Sequence, residues 1–153
     1  MRKAIAVIVG LIALAICAVA VVVRMGDGPL GPFPGGPLIG ELVTGPVSDW
    51  GFLGSVDRVE LQVHPPDPRS ITVWIFTHEG VPYVPAAFAS TKRWPEETVR
   101  DGRVVLRVDQ RLYERVAVRV DDPTERSGAL SSAQRKYDLD DNDALWLFRL
   151  DSR

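Results

Sequence analysis

Hydrophobic and polar positions change rhythm twice along this chain. Residues 4–23, AIAVIVGLIALAICAVAVVV, run for twenty positions without a charge or a strongly polar group. A helix rises about 1.5 Å per residue, so this run matches the roughly 30 Å hydrocarbon core of a bilayer. A helix also satisfies its own backbone hydrogen bonds there. The rival reading is a cleaved signal peptide, with Arg2 and Lys3 as the positive end and Ala18-Val19-Ala20 as a cleavage-like triplet. The run outlasts an apolar region of roughly 7–15 residues, which favours a retained anchor over 1–24. A lipoprotein cysteine at Cys17 is disfavoured, because bulky Ile16 precedes it.

Residues 26–37, GDGPLGPFPGGP, hold five glycines and four prolines, a density that excludes helix and central strand. Residues 25–37 therefore read as a linker. If extended, twelve residues would hold the following domain about 35–40 Å off a bilayer. The alternative is that Phe33 to Leu38 packs onto the domain.

From residue 57 the period is mostly two. Val59, Leu61 and Val63 alternate with polar neighbours, as in a half-buried strand. Ser70 to Thr77 is apolar on both faces, which predicts a central or covered strand. Glu79-Gly80 signals a tight turn into a third strand over Val81 to Phe88, where Pro82 and Pro85 limit the ladder. Trp94-Pro95-Glu96-Glu97 opens a short helix, with Gly102 as its C-cap. Arg103–Val108 and Leu112–Val120 form a hairpin across Asp109-Gln110-Arg111. Asp122-Pro123-Thr124-Glu125 is a capped helix start, and that helix runs to about Tyr137. Ala144 to Leu150 is the last strand. The prediction is a mainly β (α+β) domain over 38–153, a small antiparallel barrel with two short helices after one transmembrane helix.

The chain has 153 residues, and about 130 remain beyond the span, enough for one core. The net charge is −2; without Arg2, Lys3 and Arg24 it becomes −5. Such an acidic domain is a poor general binder of nucleic acid or anionic lipid. Arg2 and Lys3 before the span, against Arg24 after it, place the N-terminus in the cytoplasm and the domain outside a cell membrane. The only cysteine, Cys17, lies in the span, so the domain has no disulfide and no thiol ligand.

The stretch from Asp57 to Val120 resembles the flavin-binding split β-barrel superfamily, which includes pyridoxamine phosphate oxidase-like and deazaflavin-dependent nitroreductase-like proteins. The likeness centres on the strand VPYVPAAF, the segment Ser90-Thr91-Lys92-Arg93-Trp94-Pro95, a short helix ending near Asp101, and a strand of alternating valine, leucine and arginine. The resemblance implies a split barrel, a homodimer with ligands at its seam, and FMN or deazaflavin as cofactor of an oxidoreductase. In place of a basic Gly-Arg-Lys-Ser-Gly-like segment stands HPPDPRS, with Arg69 its only base. The competing reading is a non-enzymatic envelope module that kept the barrel and lost the cofactor.

Ser90, Thr91, Lys92 and Arg93 precede a helix N-terminus, two hydroxyls and two cations suited to a phosphate. Arg69 would support them, and Trp94 would wall an aromatic ring. The plainer alternative pairs these charges with Glu96 and Glu97 and puts Trp94 in the core. Arg103, Arg107, Arg115 and Arg119, joined by Tyr113, share by period two the face opposite the valines, which reads as an anion-binding stripe or, the favoured reading, a solvated outer face. Trp74, Phe76, Trp146 and Phe148 read as core or dimer seam. His64 and His78 end strands at opposite ends of a hairpin, so no shared metal is expected. The acidic run Asp138 to Asp143 lacks the glycine and glutamate of a calcium loop. No acid–base or nucleophile constellation stands out, so any chemistry would be the cofactor's.

Overall fold

The computed structural model describes residues 2–153. Helix α1 covers Arg2–Met25 and is long and apolar enough, from Ala4 to Met25, to cross a membrane. Strands β1 (Glu41–Leu42), β2 (Arg58–Val63), β3 (Arg69–Trp74), β4 (Phe76–His78) and β5 (Val81–Ala86) follow. Helix α2 (Arg93–Arg100) leads to β6 (Arg103–Val108) and β7 (Arg111–Arg119), and α3 (Pro123–Lys136) to β8 (Trp146–Ser152).

The strands are ordered β3-β2-β6-β7-β8-β5-β4, with β1 beside β7. Only Ile75 separates β3 from β4, so the two ends of this order are one chain segment and the sheet closes on itself. The first half of that segment pairs with β2, Trp74 opposite Arg58; the second pairs with β5, Phe76 opposite Tyr83. The sequence predicts one strand over 70–77. The structure breaks it at buried Ile75, where the chain changes partner.

Strands β5 and β8 carry buried apolar residues on both faces because both are covered. Ile75, Val84 and Phe148 join the barrel interior, while Phe76, Tyr83 and Leu147 meet Ala129, Leu130 and Ala133 of α3. α3 starts as its sequence requires: Asp122 caps it by accepting from the Glu125 N–H at 2.8 Å, with Pro123 at the first position.

The register corrects the arginine stripe. Arg103 lies opposite Val116, and Val104 opposite Arg115, so Arg103 and Arg107 face one way and Arg115 the other. Tyr113, Arg115 and Ala117 are buried, whereas Val118 points out. In RVAVRV one parity is all valine and the other is Arg115, Ala117 and Arg119, so period two points to the valines as the inward face; the structure buries Arg115 and Ala117 instead. Arg115 is 5% exposed and stands over the Trp50 ring at 4.6 Å. Burial pushes its pKa down, and its Nε has no hydrogen-bond partner among the described residues.

Gly102 is not the left-handed helix cap that its position suggests. It is required by a close approach: a Cβ there would stand 2.7 Å from the Ala117 carbonyl oxygen. The β6–β7 turn has two residues, Asp109 (φ 47°) and Gln110 (φ 65°), both left-handed as in a type I′ turn. Asn-Gly suits that conformation better. Asp109→Asn with Gln110→Gly is expected to stabilise the protein by about 1 kcal/mol, read as a rise in the unfolding midpoint.

The Gly/Pro segment is not an extended spacer. Gly35 exchanges backbone hydrogen bonds with buried Ser70 of β3, at 2.9 and 3.1 Å. The Ser70 hydroxyl donates to the Gly36 carbonyl at 2.8 Å. Arg107, 7% exposed, pairs with Glu60 and with Asp27 at 2.5 Å, and donates to the Ile39 carbonyl at 2.8 Å. Arg24, in the last turn of α1, pairs with Asp67 at 2.5 Å. The segment is thus a strap across β3 and β2. Polar backbone that cannot form helix or ladder finds its partners on the barrel wall.

Candidate functional site

The strap and α2 flank β3, and an open cleft of about 380 Å³ lies between them. Phe33 and Pro34 of the strap form one side, and Lys92, Arg93 and Trp94 the other, with Arg69 of β3 between them. Its size falls in the range of small-molecule sites. Four of the six residues singled out in the sequence, Arg69, Lys92, Arg93 and Trp94, meet here. Ser90 is exposed and does not line the cleft. The Thr91 hydroxyl donates to the Phe88 carbonyl at 2.8 Å, closing the 3-10 turn Ala89–Thr91.

The charges are unequally available. Buried Glu97 of α2 accepts both of its hydrogen bonds from Arg69 through one guanidinium nitrogen. Arg93 approaches the same carboxylate at 3.5 Å with its side chain 81% exposed. Glu96 turns instead to Arg100, at 3.6 Å. Lys92 is exposed and has no carboxylate within 4 Å among the described residues. Its own backbone N–H donates to the Ala89 carbonyl, and Pro95 brings no N–H to the helix start. An anion here would be held by the Lys92 and Arg93 side chains more than by helix backbone.

Trp94 is 8% exposed and packs on Phe148, with ring centroids 5.5 Å apart. It belongs to the barrel core and leaves the cleft little of its surface. Phe33, half-buried, offers the aromatic surface that Trp94 does not. Phe33 was not among the expected site residues; the one signal for it is that it is the only aromatic residue in the Gly/Pro run. Phe76 and Phe148 are core, Trp74 is a surface ring stacked on Tyr137, and Trp146 lies half-buried under Arg119.

His78 shares a hydrogen bond of 2.9 Å between its Nδ1 and the Ser132 hydroxyl, whereas His64 occupies the turn after β2 with φ 58°. In the acidic run, Asp141 pairs with Arg126 at 2.7 Å, and the Asn142 side chain accepts from the Ala144 N–H. Among the described residues no group of three or more histidine, cysteine or carboxylate side chains converges as metal ligands.

No protein-family model and no curated protein matches the sequence. Solved structures do match. A candidate pyridoxamine 5′-phosphate oxidase from Listeria innocua is 14% identical, covers 65% of this chain and 86% of its own, and superposes with a TM-score of 0.52. A conserved hypothetical protein from Mycobacterium tuberculosis is 18% identical, over 67% of this chain and 77% of its own, with a TM-score of 0.53. A NimC/NimA family protein from Clostridium acetobutylicum is 14% identical, over 64% of this chain and 75% of its own, with a TM-score of 0.51. At these identities the likeness is one of fold. The chain has the split-barrel fold of pyridoxamine 5′-phosphate oxidase-like and NimC/NimA-type proteins.

Proposed function

We propose that this chain is a single-pass membrane protein whose split barrel, outside the cytoplasmic membrane, binds a phosphate-bearing flavin-like ligand in the cleft between the strap and α2. The observation that carries the reading is the convergence of Arg69, Lys92, Arg93 and Trp94 on one cleft, from β3 and the start of α2, which are separated in the chain by two strands and a 3-10 turn. The residues fit the phosphate end of such a ligand. Lys92 and Arg93 would hold it, and Phe33 would lie against a ring. A bound flavin or deazaflavin would supply the redox chemistry itself. The chain's own part is to bind, orient and shield the ligand. Glu97 holds Arg69 in place at the floor of the cleft and prevents it from acting as a full counter-charge.

That neutralisation of Arg69 is also the observation that favours the second reading, a non-enzymatic module working through protein contacts. Full-length protein in detergent separates the two. FMN, a deazaflavin and haem are each added, and visible spectra and unfolding midpoints recorded. Binding of a flavin, weakened about tenfold or more by Lys92→Ala with Arg93→Ala, supports the first reading. No spectral change and no thermal shift with any of the three would leave the second.

A further inference from the structure

The cleft at Lys92 does not stop at the barrel. Phe33, Pro34 and Arg69 also line a second groove of about 360 Å³, whose other wall is Ala20, Val21, Arg24 and Met25 of α1. The two grooves therefore join at the strap. α1 has no protein cover over its apolar window. Twenty-two residues of helix span about 33 Å, so a bilayer centred on α1 places Ala20 to Met25 where acyl chains meet headgroups. The lower groove opens at that depth, and the upper one leads away from the bilayer to Lys92 and Arg93.

Polarity changes along the same path. At the lower end Ala20, Val21, Phe33 and Pro34 present apolar surface, and Arg24 is paired with Asp67. In the middle Arg69 is paired with Glu97. At the upper end Lys92 and Arg93 have only a share of Glu97 between them. Apolar below and positive above is the complement of an anionic amphiphile. We infer that the joined grooves bind one anionic phospholipid of the bilayer that holds α1, its phosphate at Lys92 and Arg93 and the start of one acyl chain between α1 and the strap. The inference rests on the membrane insertion and the phosphate site proposed above. The domain's net acidity repels an anionic surface as a whole, so binding is confined to this groove and is stoichiometric.

The test uses full-length protein in neutral detergent, titrated with phosphatidylglycerol or phosphatidylcholine and read by native mass spectrometry. One phosphatidylglycerol per chain is expected, retained at least fivefold more than phosphatidylcholine. Lys92→Ala with Arg93→Ala should abolish that preference. Val21→Trp fills the lower groove without touching the barrel core; it should reduce lipid retention and leave FMN binding unchanged. Equal retention of both lipids, or insensitivity to Val21→Trp, overturns the inference. Glycerol 3-phosphate binding as well as the lipid also overturns it, since the tail is then not read, yet leaves the phosphate site standing. If the double substitution alters neither FMN nor lipid binding, the phosphate site fails with it.

Discussion

Lys136→Met is expected to cost about 2–3 kcal/mol of stability. Lys136 ends α3, and its ammonium donates to three backbone carbonyls: Leu53 at 2.8 Å, Val56 at 2.5 Å and Ile75 at 3.0 Å. Those carbonyls have structural reasons to need it. Val56 is the C-cap of the short 3-10 helix Gly51–Ser55, a place where carbonyls lack intrahelical partners, whereas the Leu53 carbonyl also accepts from the Val56 N–H. Ile75 sits where the chain leaves β2 for β5. Tyr137 supports the same point, its hydroxyl lying 2.6 Å from the Ile75 carbonyl and 2.7 Å from that of Asp57. Methionine would fill the space and leave the Val56 carbonyl without its donor, while the Leu53 carbonyl keeps the Val56 N–H at 3.1 Å and that of Ile75 keeps the Tyr137 hydroxyl. Chemical denaturation followed by circular dichroism reads the loss, and Lys136→Gln should recover part of it. A loss below about 1 kcal/mol would mean that water replaces the ammonium.

Arg107→Met should cost more, about 3–4 kcal/mol, and should also free the strap. Arg107 is buried and serves three partners on separate segments: Glu60 of β2, and Asp27 and the Ile39 carbonyl on either side of the strap. The Ile39 N–H also donates to Asp27, at 2.9 Å. Removing the guanidinium leaves two carboxylates facing each other and repelling. Limited proteolysis should then cut within 26–36 in Arg107→Met and spare the parent protein. Acid should act in the same direction. The hydrogen bond from Arg107 holds the Asp27 carboxyl below the ordinary aspartate value of 3.8. Its folded pKa is the lower one, so its contribution is complete above about pH 4 and disappears as pH falls through that depressed value. Protease protection of the strap should fall over the same window, and an unchanged cleavage rate down to pH 2 would contradict the clasp.

These two clasps show where sequence reading stops. Lys136 and Arg107 look like ordinary surface cations by type and spacing. Their roles depend on partners between 47 and 83 positions away in the chain. Val59, Leu61 and Val63 were legible because one face of β2 is buried and the other is not. The start of α3 was legible because an N-cap and its proline are adjacent residues. The glycine-rich strap was readable as neither helix nor strand, but its contacts with Ser70 and Arg107 have no local signature. Half of the cleft was legible for a similar reason. Lys92, Arg93 and Trp94 are neighbours and share a helix start, whereas the closure of Arg69 onto Glu97 needs β3 laid against α2.

Chain-local rules were sufficient for an apolar span, for a run of short antiparallel strands, and for the two helix starts, because each is decided by residues within about one turn or one hairpin. They pointed to the valine face of β7 as its inward one, which the structure reverses at Arg115 and Ala117, and they could not dock the strap or split one long apolar strand at Ile75 between two partners. Those outcomes follow from closing the sheet into a barrel. Closure decides which parity of RVAVRV is buried, which carbonyls lose their partners, and which charges are brought together to replace the water they lose.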